Sequence, residues 1–150
     1  MVHRISCGAL VMHEDKILLV HHVQPGRYDF WAAPGGGVEG AEELEAAAER
    51  EVLEETGLVV RASRLAYIDN LWSQTDRTIK FWFLADYVSG ERDVSANPAD
   101  GEFIVAAEWF PLDALPAGHV FPEPLRERFR DDLTSGFPTP IRLPLRELLF

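Results

Sequence analysis

Eight glutamates and one arginine fall within the seventeen residues from 39 to 55. That segment nets −7 of the chain's −11, so the remaining residues are nearly balanced. Glu, Ala, Leu and Arg are strong helix formers, and they predict one helix from about residue 41 to 56. Gly57 follows, placed to take the left-handed conformation that ends a helix. On this helix Glu51, Glu54 and Glu55 stand at i, i+3 and i+4 and share one face. Like charges at those spacings repel, and Glu55 lies at the C-terminal end, where the macrodipole disfavours anions. Arg50, four residues before Glu54, offsets only part of this repulsion. The face is either a solvated acidic surface or a place for a hard divalent cation. Mg²⁺ typically takes a few carboxylates together with phosphate oxygens and water. Directly before the helix, Gly35-Gly36-Gly37 lets the backbone approach an ion or ligand closely.

Strand-like segments surround the helix. Residues 4–12 and 16–23 read as strands separated by His13-Glu14-Asp15-Lys16, and 29–33 as a brief third. His21 to Tyr28 reads as a loop, with His21, His22 and His119 facing solvent. Residues 58–68 and 78–88 read as strands joined by a turn region over 69–77, and 103–110 as another strand. Leu125, Phe129 and Leu133 share a face, which predicts a second helix over 124–133. Pro138, Pro140 and Pro144 make the start of the tail extended. The expected architecture is α/β, a mixed sheet with helices packed on its faces. With 150 residues and no repeat or linker, a single domain is expected.

Composition narrows the class. Hydrophobic residues at 47% and charged residues at 26% are those of a globular chain. One cysteine, Cys7, excludes an internal disulfide framework and points to a reducing, cytoplasmic setting, with Cys7 as an apolar strand residue. No stretch approaches the roughly 18 apolar residues of a membrane span. The acidic balance argues against binding a nucleic acid polymer, which needs basic surface. A small anion remains open, because a bound cation reverses the local sign.

Gly36, five residues, Glu42, seven residues, then Arg50-Glu51-Val52-Leu53-Glu54-Glu55-Thr56-Gly57-Leu58 resembles an unbroken Nudix box. All nine constrained positions match, and a chance match is on the order of one in a million for this composition. Asp76-Arg77 followed by alternating aromatics resembles the central strand of the MutT-like branch. Residues 108–115 are similar to the family's late strand and the turn after it. The resemblance covers about residues 4–134 and leaves 135–150 as a proline-rich tail. It implies the Nudix fold, a mixed sheet sandwiched between helices.

The family's roles then carry over by position. Glu51, Glu54 and Glu55 would hold Mg²⁺, or Mn²⁺ as a substitute, with the carbonyl of Gly36 as a further ligand. Arg50 would orient the carboxylates, and Glu42 would pair with it or join the outer metal shell. Glu102, with Asp100 as its neighbour, is the candidate acid outside the box, as a metal ligand and as rival to Glu54 for the general base. Two departures stand out: Glu43 replaces the usual Ser or Thr at the helix start, and Ala33 replaces the usual leucine before Pro34.

The implied reaction is Mg²⁺-dependent hydrolysis of the diphosphate in a nucleoside diphosphate linked to another group. Asp76-Arg77 favours a MutT-like nucleoside triphosphate pyrophosphohydrolase acting on ordinary or oxidised nucleotides. The alternatives are an ADP-ribose or nucleotide-sugar pyrophosphatase and, in another class, a catalytically silent nucleotide-binding module. Arg27 and Arg77 are candidates for phosphate, and Tyr28 and Phe83 for the base. Phe30, Trp31, Trp72 and Phe81 are further rings whose commoner role is packing. The apolar end, Leu148-Leu149-Phe150, would pack on the domain or on a second copy of the chain, giving a homodimer.

Overall fold

A computed structural model describes residues 1–95 and 103–148. The chain runs β1 (Val2–His13), β2 (Lys16–Gln24), β3 (Tyr28–Ala32), β4 (Gly35–Gly37), α1 (Leu44–Thr56), β5 (Val59–Trp72) and β6 (Asp76–Ser89). It continues with β7 (Ile104–Pro111), β8 (Val120–Phe121), α2 (Pro124–Glu127), α3 (Phe129–Ser135) and β9 (Ile141–Glu147).

Alternation along the first two strands sets the layers. In β1, Cys7, Ala9 and Val11 enter one core cluster and Leu10 the other; in β2, Leu18 joins the first while Ile17 and Leu19 join the second. Successive side chains of a strand point to opposite faces, so this sheet is buried on both sides. Ala47, Ala48 and Val52 of α1 cover the first face; Leu125 of α2 and Phe129 of α3 cover the second. Complete burial of a valine such as Val52 contributes about 1.5 kcal/mol. The strand order is β8-β3-β2-β1-β6-β5-β9, with β4 paired to β1 and β7 to β2. Parallel pairs β1–β6, β3–β8 and β5–β9 make the sheet mixed. The architecture is therefore the expected α/β one, a mixed sheet with helices on both faces.

Three local features place the glutamate helix. β4 lies antiparallel to β1, with Cys7 opposite Gly36 and Gly8 opposite Gly35. α1 begins after the extended Glu43, whose side chain makes no capping hydrogen bond. It ends at Gly57, at φ 78°, whose N–H donates to the Leu53 carbonyl at 2.9 Å. A Cβ on Gly57 would also lie 2.9 Å from the Glu91 carbonyl, so glycine is needed there for two reasons.

Several boundaries differ from the sequence expectation. The helix starts at Leu44 rather than near 41, because Gly40 takes φ 54° in a turn that ties the Glu42 N–H to the Glu39 carbonyl. His21 and His22 are strand residues of β2, paired with Trp31 and Phe30. The turn predicted over 69–77 shrinks to three residues, since β5 and β6 pair as far as Trp72 and Arg77. The second helix is broken at Arg128, whose φ of −151° interrupts the helical path. In the tail the extended segment is β9, at the sheet edge, where Pro144 costs no ladder bond. Leu148 donates its N–H to the Trp72 carbonyl at 2.7 Å; Leu149 and Phe150 lie outside the described residues. Among the described residues no helix is long and apolar enough to cross a membrane.

Candidate active site

Arg50 is the hub of the glutamate helix. Its Nε and Nη2 donate to Glu42 at 3.1 and 2.7 Å. Nη1 donates to Glu51 at 3.0 Å and Glu54 at 3.1 Å, and Nη2 also to the Gly37 carbonyl at 2.9 Å. All five guanidinium protons are thereby used, which only the planar fork of arginine permits. These bonds, chiefly those to Glu42, push the Arg50 pKa up, and the Arg50 contact holds the Glu42 carboxyl below the usual range. The repulsion among the glutamates is offset by one cation that also ties the helix to β4.

Glu51 and Glu55 turn inward and are 6% and 1% exposed, while Glu54 stands at the rim. Glu55 accepts the Gly35 N–H at 3.1 Å. The Glu51 carboxylate presses so closely on Gly36 that a Cβ there would lie 2.6 Å from it. That cradle explains the glycine run: β4 is the wall against which the carboxylates are packed. Among the described residues no three acidic, His or Cys side chains stand as a ready cation cage. The nearest donors are hard oxygens, and the Cys7 thiol opposite Gly36 is pushed up to about 11 by burial, so it offers no thiolate near neutral pH. Such a donor set fits Mg²⁺ or Mn²⁺.

Two hollows flank β4. One, of about 270 Å³, opens at Gly35 and is lined by Phe30, Phe121, Trp82, Lys80, Asp69 and Arg146, among others. Phe30 and Phe121 meet edge to face at 5.5 Å, and the Lys80 ammonium lies 4.4 Å from the Trp82 ring centre. Asp69, 2% exposed, accepts two hydrogen bonds from Arg146, at 2.7 and 2.9 Å, and Arg146 also pairs with Glu123. The other, a broader groove of about 770 Å³, lies beside Gly36 and Gly37 and is lined by Arg4, Arg27, Ser6 and Thr78.

The structure thus gathers Gly36, Glu42, Arg50, Glu51, Glu54 and Glu55, with Arg27 on the adjoining groove. Tyr28 begins β3 with its ring 5.4 Å from that of Phe30, and Arg77 sits at the start of β6 opposite His3. Phe83 packs under α1 at 3% exposure; the strand's parity sends it to the helix side, away from both hollows. Glu102 and Asp100 lie outside the described residues. His21 is no incidental loop residue, for its Nε2 lies 2.6 Å from Asp29 and its ring stacks on Trp31. Sequence reasoning missed Asp69, Lys80, Phe121 and Arg146, which converge from four separate strands. The one usable signal was Lys80, a cation inside the otherwise apolar run of residues 79–85.

A NUDIX domain model matches residues 2–130, and the chain belongs to the NUDIX family. Similar curated proteins include the NAD-capped RNA hydrolase NudC of Photorhabdus laumondii, 34% identical over 106 residues, which are 71% of this chain and 38% of the relative. The protein of that name from Pseudomonas aeruginosa is 38% identical over 113 residues, 74% of this chain and 37% of the relative. The chain spans little more than a third of the length of these relatives. Among solved structures, a MutT NUDIX hydrolase from Burkholderia pseudomallei superposes with a TM-score of 0.68 at 29% identity, covering 89% of this chain and 98% of that one. An ADP-ribose pyrophosphatase from Streptococcus suis gives 0.67 at 25% identity, covering 97% and 98%.

Proposed function

We propose that the protein hydrolyses the diphosphate linkage of a nucleoside diphosphate derivative with the help of Mg²⁺. The observation that carries this reading is the packing of Glu51 against Gly36, with Arg50 fixing Glu51 and Glu54 beside an aromatic hollow. In it, Glu51, Glu54, Glu55 and the Gly36 carbonyl would hold the ion. A bound divalent cation supplies charge neutralisation for the phosphates and acidifies a water. Arg50 keeps the carboxylates in register, Gly35 anchors Glu55, and the rings of Phe30 and Phe121 receive a base and exclude water from one end. Glu54, the most solvent-accessible of the three, takes the proton of the attacking water, with Glu102 as its rival.

For the substrate, the MutT-like reading is a nucleoside triphosphate, ordinary or oxidised, cleaved to the monophosphate and pyrophosphate. A second reading is a two-ended diphosphate, such as an NAD-type dinucleotide, ADP-ribose or a nucleotide sugar. The groove beyond Gly36, with Arg4 and Arg27, offers room for a second arm, and the names of the curated relatives point the same way. Product release with Mg²⁺ across 8-oxo-dGTP, the ordinary triphosphates, NAD, ADP-ribose, nucleotide sugars and diadenosine polyphosphates decides between them. Binding without turnover on every member would instead favour a silent nucleotide-binding module.

A further inference from the structure

Side chains of β6 alternate between the α1 side, taken by Phe81 and Phe83, and the side of the aromatic hollow, taken by Lys80 and Trp82. A charged residue at such a position must be compensated, because an unpaired cation in a half-buried strand is costly. For Lys80 that compensation is only the field of nearby carboxylates, with none of them bonded to it. Its ammonium has no hydrogen-bond or ion-pair partner among the described residues and rests over the Trp82 ring at 4.4 Å. Asp69, across the β5–β6 ladder, is occupied by Arg146. Burial holds the Lys80 pKa below the ordinary lysine value, and the surrounding carboxylates, Glu55 foremost, oppose that only in part.

The position of Lys80 gives the unpaired charge a meaning. Its Cε lies 3.0 Å from where a Cβ on Gly35 would stand, so the side chain runs along the very residue whose N–H holds Glu55. Gly35 is the seam: the hollow opens on one side of it, and Gly36 with Glu51 lies on the other. We propose that Lys80 binds the phosphate nearest the nucleoside, its ammonium donating to a non-bridging oxygen as that phosphate passes Gly35 from the hollow to the glutamates. The assignment rests on the reading that the hollow receives the nucleoside. A phosphate there supplies the anionic oxygens that Lys80 lacks, and the Trp82 face fixes the ammonium's approach. Lys80 would then set the register of the substrate, so that the next phosphorus, and not this one, reaches the carboxylates.

The test separates the phosphate contact from the hollow and from the metal. Calorimetric titrations without divalent cation compare adenosine with AMP and guanosine with GMP, on the wild-type chain and on Lys80→Met. The affinity ratio of monophosphate to nucleoside should fall about tenfold in Lys80→Met, the value of one charge-assisted hydrogen bond, while nucleoside affinity is retained. Lys80→Gln gives the same comparison if the methionine variant fails to fold. A ratio that falls by less than about threefold while nucleosides still bind overturns the Lys80 assignment and leaves the hollow standing. Equal loss of both affinities marks a structural role and overturns it too. If neither nucleoside binds the wild-type chain, or Phe121→Ala leaves nucleoside affinity unchanged, the hollow reading fails and takes this inference with it.

Discussion

Arg50 and Glu42 form a two-point ion pair, Nε to Oε2 at 3.1 Å and Nη2 to Oε1 at 2.7 Å, across the turn that leads into α1. Glu42 also accepts the Glu39 N–H at 2.8 Å, so the pair staples the loop before the helix to its middle. The remaining Arg50 protons go to Glu51, Glu54 and the Gly37 carbonyl. One side chain therefore fixes the helix, the loop and β4 relative to each other.

A lysine at position 50 keeps the charge but not the fork. Arg50→Lys should lose about 2 kcal/mol of unfolding free energy, the cost of leaving charged acceptors unpaired. Mg²⁺-dependent turnover should drop by about tenfold or more, since misplaced carboxylates forfeit positioning. Urea unfolding and steady-state kinetics on the same preparation check both. Wild-type turnover in the folded variant would show that the network is dispensable for chemistry.

Gly36 and Gly37 give a paired prediction. A methyl at Gly36 would meet the Glu51 carboxylate at 2.6 Å, whereas a methyl at Gly37 would meet nothing within 4 Å. Gly36→Ala must displace Glu51 and should cost about a hundredfold in turnover, on the scale of a 1 Å misplacement. Gly37→Ala, one residue on, should stay close to wild type. Similar losses in both variants would mean that β4 acts through its backbone flexibility and not through its closeness to Glu51.

The parts of this arrangement that were legible in the sequence are those with short-range causes. The helix and its Gly57 terminus follow from composition and one left-handed position, and the spacing of Glu51, Glu54 and Glu55 fixes their shared face. Arg50 was legible as a partner for Glu54 but not as a donor to Gly37, which only the β1–β4 pairing brings near. Asp69 was hidden for the same kind of reason. It looks like a turn residue among polar neighbours, and it is buried because Arg146, 77 positions later, arrives on β9 to bond it. His21 and His22 were obscured by the Gln24-Pro25-Gly26 turn, whose loop signal spread into the strand before it. Phe83 was misjudged because aromatic content carries no face; the parity of β6 puts Trp82 and Lys80 on the hollow and Phe83 under the helix.

Removal of the proton acceptor should separate chemistry from folding. Glu54 is at the rim and its contact with Arg50 Nη1 is a single hydrogen bond at 3.1 Å, so Glu54→Gln should fold normally. Its Mg²⁺-dependent turnover should fall by about a hundredfold or more, in line with the usual contribution of a general base. Unchanged turnover in the folded variant would transfer the role to Glu102.

Far from the glutamates, Asp132 on α3 accepts hydrogen bonds from Tyr67 at 2.6 Å and from Arg128 at 2.6 and 3.0 Å. Burial alone would push its pKa up, but the bonds from Arg128 and Tyr67 prevail and hold it below the ordinary carboxylate value. A carboxyl depressed in the folded state stabilises the protein fully above its unfolded pKa of about 3.9 and loses that contribution as pH falls through the folded value. Asp132→Asn should therefore be less stable than wild type by about 2 kcal/mol at pH 7, since it leaves a charged donor and a buried hydroxyl poorly matched. The gap should hold down to about pH 5 and narrow below about pH 4 as the wild-type carboxylate takes up its proton. Urea denaturation of both chains at pH 7, 5, 4 and 3 measures it. A gap of constant size down to pH 3 would mean that Asp132 stabilises the protein through packing, with no help from its charge.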